Sequence, residues 1–150
     1  MNIKEIKEMI DKDVKIDSTD LDGYSISIPE LANKYHQLAF DERKVLRYLQ
    51  GEYNILLHQR WLYYSGKASD DVYEEEPFDL KVLKNDMEMF LNADKQIIAM
   101  KDKVGEQVDK INLIDDTAKK IIAASFNISN TIKWKKFLSE IGRASCRERV

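Results

Sequence analysis

The sequence predicts an all-α fold built from long antiparallel helices. Only five glycines and two prolines occur in 150 residues, so few positions interrupt a helix. Charged residues make up 34% of the chain, and the apolar residues recur every three or four positions, as on one face of a helix. The length indicates a single domain. Because no run of 18 apolar residues is present, no transmembrane helix is expected, and residues 1–6 do not resemble a signal peptide.

Residues 142–150 differ from everything before them. They resemble a translated adapter or vector scar, and we predict a non-native tail that follows a domain at 1–141. Without the tail the chain has 21 basic and 26 acidic residues in place of 24 and 27, so its net charge changes from −3 to −5. A nucleic-acid site must then be a local basic patch. The only cysteine, Cys146, lies in the tail, which excludes disulfides and thiol chemistry from the domain and suits a cytoplasmic protein.

The first 28 residues predict a short helix followed by a linker. Apolar residues at Ile3, Ile6 and Ile10 indicate an amphipathic helix over 2–12. Turn-forming residues fill 13–28, so a linker is expected there, with an extended segment at 25–28. Its acidic cluster is unlike a calcium loop, because the required glycine and closing glutamate are at the wrong offsets.

A first long helix is predicted from Pro29 to Tyr64. Proline suits the first turn of a helix, and the apolar residues then follow a heptad seam with polar interruptions such as Glu42: Leu31, Tyr35, Leu38, Val45, Leu49, Leu56 and Tyr63. Such a long helix needs a partner helix or another subunit to cover it. Ser65 and Gly66 are expected to end it through the left-handed backbone geometry of glycine.

The second half of the chain predicts an acidic loop and three further helical segments. The loop covers 67–78, a helix covers 79–92, and a fresh turn at 93–95 leads into the second long segment over 101–126. Asn127 and Ser129 then favour a break before a short basic helix at 131–140. A membrane-surface or nucleic-acid role is open for this last helix. We favour an assembly role, in which its apolar side packs on a neighbouring subunit through Ile132, Trp134, Phe137 and Leu138.

Cations and aromatic rings concentrate between residues 54 and 67. Such a combination can hold single-stranded DNA, with cations on phosphates and flat rings on bases. The candidate contacts are His58, Arg60 and Lys67, with Tyr63 and Tyr64 for stacking and Arg43, Lys44 and Arg47 along the outer side of the same helix. Arg43 and Arg47 are one turn apart, so one phosphate can bridge them. The structural alternative is that the aromatic residues are ordinary core and Arg60 a solvated charge.

No catalytic arrangement is visible in the sequence. It contains no glycine-rich phosphate loop. Its two histidines, His36 and His58, do not have the spacing of a metal-ligand pair on a helix. The chain is therefore expected to be neither an enzyme nor a cofactor-binding protein.

Three stretches resemble the UvsY family of phage recombination mediators. They are Lys12–Thr19 (KDVKIDST), Arg60–Gly66 (RWLYYSG) and Leu91–Lys95 (LNADK), and their spacing also resembles that of the family, whose members end near the end of the last predicted helix. The resemblance implies a non-enzymatic accessory of homologous recombination in the cytoplasm of the infected host cell. Its implied partners are single-stranded DNA, the phage single-strand-binding protein that it helps to displace, and a RecA-type phage recombinase that it loads.

The resemblance also implies a closed ring of about six or seven subunits, with a C-terminal helix that is important for assembly. A basic pair two residues apart, implicated in strand binding in the family, falls here on His58 and Arg60. His58 replaces the expected lysine, and histidine is largely neutral at pH 7. Lys67 or Lys44 is expected to compensate.

Two other functions are consistent with a helical chain. A coiled-coil adaptor that binds only proteins would show no salt-dependent DNA binding. A small nucleic-acid-processing enzyme would need a cluster of metal-binding carboxylates or histidines, which the sequence does not show.

Overall fold

The computed structural model describes residues 1–148, which form five helices and no strands. The helices are α1 (Ile3–Asp13), α2 (Leu21–Tyr64), α3 (Asp70–Glu75), α4 (Met87–Asn92) and α5 (Lys95–Glu148). The predicted all-α class is confirmed. The chain divides into two compact units, one formed by residues 1–39 with the chain from Asn112 onward, the other by Phe40–Ile111. Each unit is described by itself below.

Helix α1 confirms the short amphipathic helix predicted near the N-terminus. The Asn2 side chain accepts a hydrogen bond from the Lys4 N–H at 3.0 Å, and the Glu5 carboxylate accepts one from the Asn2 N–H at 3.0 Å. This reciprocal cap satisfies two N–H groups that the helix leaves unpaired. Ile6, one turn after the cap, is fully buried.

The core of the first unit is an aliphatic cluster with one tyrosine at its centre. Tyr35 is fully buried, and its hydroxyl donates to the Asp13 carboxylate at 2.8 Å. Lys34 pairs with the same carboxylate at 2.7 Å, so this side chain at the end of α1 makes two polar contacts with α2. The buried members of the cluster are Ile6, Ile28, Tyr35, Ala39, Ile114, Ala118, Ile121 and Ile128.

The predicted linker at 13–28 is confirmed only for residues 14–20, and the extended segment predicted at 25–28 and the helix start predicted at Pro29 are wrong. Helix α2 begins at Leu21, and Pro29 lies inside it. Leu21, Tyr24 and Ile28 follow one another at helical spacing and pack on the core cluster, while the Tyr24 hydroxyl donates to the Asp13 carbonyl. Burial of these side chains outweighs the helix-weakening effect of proline and of the preceding turn formers, as tertiary packing often does.

The second unit pairs part of α2 with the start of α5 in antiparallel directions. Glu42 contacts Gln107, whereas Arg60 contacts Asp94. Residues later in α2 therefore contact earlier residues of α5, as in an antiparallel pair. Glu42, a polar interruption in the heptad seam, is buried. Gln107 donates to its carboxylate at 2.7 Å, and Lys110 lies 3.4 Å away. Burial would raise the pKa of Glu42, but these two partners hold it below its ordinary value.

The connection between the two long helices differs from the prediction. Residues 67–78 contain α3, although a loop was expected there, and only Met87–Asn92 of the helix predicted at 79–92 is helical. Gly66 ends α2 with φ of 75°, as expected. Phe78 and Phe90 pack on the tyrosines at the end of α2, so the connecting segment is held by aromatic contacts that do not require a regular helix.

The separate C-terminal helix predicted at 131–140 is also wrong, because α5 continues without a break. The Thr131 hydroxyl donates to the Asn127 carbonyl at 2.8 Å, and the Ser125 hydroxyl donates to the Ile122 carbonyl. Their polar side chains are thus satisfied within the helix and do not cap a new one. The segment expected to be a non-native tail is helical as far as Glu148, and its last two residues lie outside the described part.

Candidate nucleic-acid interface

Arg60, the central candidate from sequence, is buried in a network of charges. Its Nε donates to the Asp94 carboxylate at 2.6 Å, and its terminal nitrogens donate to the two Glu76 oxygens at 3.1 and 3.3 Å. The Arg60 side chain is only 8% exposed. Burial would lower the pKa of Arg60, but hydrogen bonds to Glu76, Tyr64 and Asp94 hold it above its ordinary value. The charge is therefore neutralised within the unit.

Asp94 connects this network to the start of α5. One carboxylate oxygen accepts from the Gln96 and Ile97 N–H groups at 2.9 and 3.1 Å, which confirms the fresh turn predicted at 93–95. The other oxygen accepts from Arg60 and from the Tyr64 hydroxyl, which lies 2.6 Å away. Burial would raise the pKa of Asp94, but these bonds hold it below its ordinary value. The network thus joins two of the stretches that carry the family resemblance.

Tyr63 and Tyr64 belong to an aromatic cluster in the second unit. Tyr63 is only 3% exposed, and its hydroxyl donates to the Glu76 carbonyl. Its ring stacks on Tyr73 with 5.5 Å between centroids. Tyr64 is half-buried beside Phe78 and Phe90. These two tyrosines are therefore core residues, which was the alternative to strand contact considered for them from the sequence.

The remaining candidate cations are exposed on α2 or just after it. At 100° per residue, ten positions between residues 40 and 61 fall on one side of α2, and the side chains or backbone at all ten are exposed. We call this side the outer face of α2: Phe40, Arg43, Lys44, Arg47, Tyr48, Gly51, Asn54, Ile55, His58 and Trp61. It spans roughly 30 Å at 1.5 Å per residue, and it contains no acidic residue.

Three aromatic rings lie on the outer face, of which Trp61 belongs to the stretch at 54–67 singled out from the sequence, whereas Phe40 and Tyr48 were not predicted. Phe40 is 54% exposed, Tyr48 67% and Trp61 39%. The ammonium groups of Lys44 and Lys67 lie 4.9 Å from the Phe40 ring centre and 5.1 Å from the Trp61 ring centre, respectively. A helical projection of residues 40–61 contains this signal, because it separates the exposed rings from the seam.

The residues predicted for assembly lie together near the end of α5. Each is about half exposed, and the Trp134 and Phe137 rings are 5.6 Å apart. We call Ile132, Trp134, Phe137 and Leu138 the C-terminal apolar patch. At 100° per residue, Trp134, Phe137 and Leu138 fall on one side of α5, away from Ile132. Exposed apolar side chains grouped in this way are typical of protein contact sites.

Neither a metal-binding cluster nor a membrane-spanning helix is found in the described part of the chain. Within residues 1–148, no group of three or more His, Cys, Asp or Glu side chains is placed to hold a metal ion. None of the described helices combines the length and the apolar character needed to cross a bilayer.

Comparison with known proteins identifies the family. The model of the family described as recombination, repair and ssDNA binding protein UvsY matches residues 9–141. The recombination protein uvsY of Enterobacteria phage T4 is 26% identical over 98 residues, which cover 65% of this chain and 69% of that protein.

Crystal structures of the bacteriophage T4 recombination mediator protein UvsY share the fold. In lattice type IV the TM-score is 0.80 at 22% identity, with 91% of this chain and 99% of that chain covered. In lattice type II the TM-score is 0.79 at 22% identity, with 93% and 98% covered. Since the family model spans most of its length, the chain belongs to the UvsY family of non-enzymatic recombination, repair and single-stranded-DNA-binding proteins.

Proposed function

We propose that this protein is a recombination mediator that binds single-stranded DNA along the outer face of α2. The observation that carries the proposal is an exposed helix face that combines three permanently charged cations with three aromatic rings and has no acidic residue. Family membership supplies the class of ligand. A positive surface that follows the backbone, with rings on which bases stack, is what sequence-independent strand binding requires.

On the outer face, the cations bind phosphates and the aromatic rings stack on bases. Arg43 and Arg47, one turn apart, contact phosphates, and Lys44 adds a third cation on the same side. Phe40, Tyr48 and Trp61 offer their faces to bases. His58 lies on the same face, and Lys67 lies beside Trp61 at the end of the helix, so both reach a strand that runs along α2.

Arg60 serves this site as a positioning residue. It ties the end of α2 to Glu76 and Asp94, and so it fixes the turn from which Lys67 extends. Tyr63 and Tyr64 hold the same turn through the aromatic cluster. These three residues were expected from the sequence to contact the strand. In the proposed site their exposed neighbours, Trp61 and Lys67, make those contacts.

Assembly into a ring of about six or seven copies strengthens a weak site. A few phosphate contacts per subunit give low affinity that falls steeply with salt. Repetition around a ring raises the effective concentration of each further site. The C-terminal apolar patch supplies a surface for this assembly, because its side chains are half exposed in a single chain. Residues 142–150 are not needed for it, and the family match ends at Ile141.

In the infected host cell, the ring would act on strands coated by the phage single-strand-binding protein. Binding along α2 competes for the same phosphates and bases and so helps to displace the coat. A RecA-type phage recombinase is then loaded on the exposed strand. No cofactor is required, because binding energy alone drives the exchange.

Fluorescence anisotropy with a labelled single strand and a matching duplex tests the proposal. We expect a preference for the single strand and a linear fall of log affinity with log salt, with a slope of roughly −0.7 per phosphate contacted. Absence of binding at low salt would contradict the proposal and favour the alternative, an adaptor that acts only through protein contacts.

A further inference from the structure

We propose that a single nucleobase of the bound strand seats in a notch above Gly51. The inference rests on the proposed strand binding along the outer face of α2, and it adds a defined base site to that surface. The ligand class is a nucleobase that is unstacked from its neighbours, as in flexible single-stranded DNA.

The notch is a gap in an otherwise continuous row of exposed side chains. Gly51 lies near the middle of the outer face and is exposed. Apart from its two chain neighbours and the adjacent helix backbone, no atom of residues 1–148 lies within 4 Å of the place where a Cβ would stand. Side chains three and four residues away on a helix are its neighbours on the same face. The gap is therefore bounded by Arg47 and Tyr48 on one side and by Asn54 and Ile55 on the other.

The groups around the notch match the parts of a nucleotide. Tyr48 is 67% exposed and Ile55 is 54% exposed, so a ring and an aliphatic side chain flank the gap and can contact the faces of a base. The Asn54 amide offers both a donor and an acceptor to a base edge. Arg47 provides a cation for the adjoining phosphate.

A glycine at this position needs a reason in terms of function. In the middle of an exposed helix, glycine destabilises the fold relative to alanine, because its backbone loses more freedom on folding. Nothing in the second unit packs on Gly51, so close packing within the chain does not account for it. What distinguishes Gly51 from Gly105, whose neighbours on the helix include Asp102 and Asp109, is a surrounding row of cations and rings that suits close approach of a nucleotide to the helix backbone.

The charge around the notch favours a nucleotide over a second helix as its occupant. A second helix packing on the glycine would also cover Arg47 and Asn54, which border the gap, with Lys44 and His58 further along the same face. Cations along this row would be left unpaired beneath an apolar helix. A polyanion with flat bases satisfies them.

The test uses Gly51→Ala and Gly51→Leu, with Gly105→Ala and Gly105→Leu as matched controls. Gly105 is also an exposed helical glycine of the second unit with open space around its Cβ position, but it lies on α5. All four changes favour the helix, and each alanine variant should raise Tm by about 2–4 °C. We expect single-strand affinity to fall roughly fivefold for Gly51→Ala and further for Gly51→Leu, while both Gly105 variants bind like wild type.

A strand that contains abasic sugars separates base seating from phosphate contact. The effect of Gly51→Leu should disappear on a fully abasic strand of the same length, because no base is left to enter the notch. Unchanged affinity of both Gly51 variants for the normal strand would overturn the inference, even though wild-type binding would still support strand binding itself. A change in oligomer mass that is specific to the Gly51 variants would overturn it in favour of a second helix as occupant. If wild type binds no strand, the proposed function fails and the inference fails with it.

Discussion

The guanidinium of Arg60 donates to the carboxylate of Asp94 at 2.6 Å, and this pair joins the end of α2 to the first turn of α5. Both side chains are almost completely buried, at 8% and 2% exposure. Arg60, the first residue of the distinctive RWLYYSG stretch, therefore has a structural role, and the residues around it, not Arg60 itself, face the solvent. The proposed division between positioning residues and strand contacts rests on this pair.

Removing either member of the pair should strongly destabilise the fold. We expect Arg60→Ala to lower the free energy of unfolding by about 3–5 kcal/mol, because it leaves the Asp94 carboxylate buried without its cation. Urea denaturation measures this loss, and Lys103→Ala, an exposed lysine on α5, should change stability by less than about 0.5 kcal/mol. A loss below about 1 kcal/mol for Arg60→Ala would mean that the pair does not hold the two helices together.

Asp94→Asn distinguishes positioning from direct strand contact. If Arg60 positions the turn before Lys67, Asp94→Asn should weaken single-strand binding as Arg60→Ala does, although it removes a negative charge. If Arg60 itself contacts phosphate, Asp94→Asn should leave affinity unchanged or raise it, because the guanidinium loses its internal partner. Anisotropy at a temperature where circular dichroism shows both variants folded decides between the two outcomes.

Acid should destabilise the second unit through Asp94 and Glu42. The pKa of each carboxyl is held below its ordinary value in the fold, by hydrogen bonds that outweigh the effect of burial. Their stabilisation is therefore present above the unfolded pKa values, 3.8 and 4.5, and is lost as pH falls below them through the folded values.

Urea denaturation between pH 7 and pH 3 measures this effect. The difference in stability between wild type and Asp94→Asn should be largest at neutral pH and shrink below about pH 4. A difference that does not vary with pH would show that Asp94 is not ionised in the fold.

His58→Lys should strengthen strand binding. The residue is exposed on the outer face of α2, and lysine adds a permanent cation within reach of a strand on that face. We expect affinity to rise roughly three- to tenfold at pH 7.5 and the salt slope to steepen by roughly 0.7. Gln96→Lys, an exposed position at the start of α5, adds the same charge away from the outer face. If it matched His58→Lys, the gain would reflect net charge and not the site.

Phe137→Glu should disrupt assembly. Phe137 is 50% exposed and packs beside Trp134, so a carboxylate there would be buried without a partner in any interface built on the C-terminal apolar patch. Light scattering should show monomers or small oligomers for Phe137→Glu and the wild-type mass for Lys133→Glu, a polar position one turn away. Full wild-type mass for Phe137→Glu would rule out the patch as the assembly surface.

Helical periodicity in the sequence was enough to predict the fold class and the two long helices, but not their ends. Turn formers and Pro29 indicated a break before residue 29, yet Tyr24 and Ile28 gain enough buried contact to extend α2 to Leu21. Similarly, Asn127 and Ser129 indicated a break before a new helix, but α5 continues through them, and the Thr131 hydroxyl bonds to the Asn127 carbonyl within it. Where local sequence signals are weak, tertiary packing determines the ends of a helix, and this packing is not visible in the sequence.

The proposed site overlaps only in part with the residues predicted from the sequence. Cations and rings between residues 54 and 67 indicated the C-terminal end of α2, but which of them are exposed depends on Asp94 and Glu76, which lie 34 and 16 residues from Arg60. Partners at such separations are not visible in a linear pattern. The exposed rings of Phe40 and Tyr48 were within reach of a helical projection, since they fall on the same side as Arg43 and Arg47.

Strand affinity of an Arg43→Ala/Arg47→Ala double variant tests the central claim most directly. Both residues lie on the outer face of α2, and Lys101→Ala/Lys103→Ala removes two exposed cations from α5 as a control. Anisotropy over a salt series should give a slope that is shallower by roughly 1.4 and a large loss of affinity for the first variant only. Equal affinity and slope for wild type and Arg43→Ala/Arg47→Ala would contradict single-strand binding along this face.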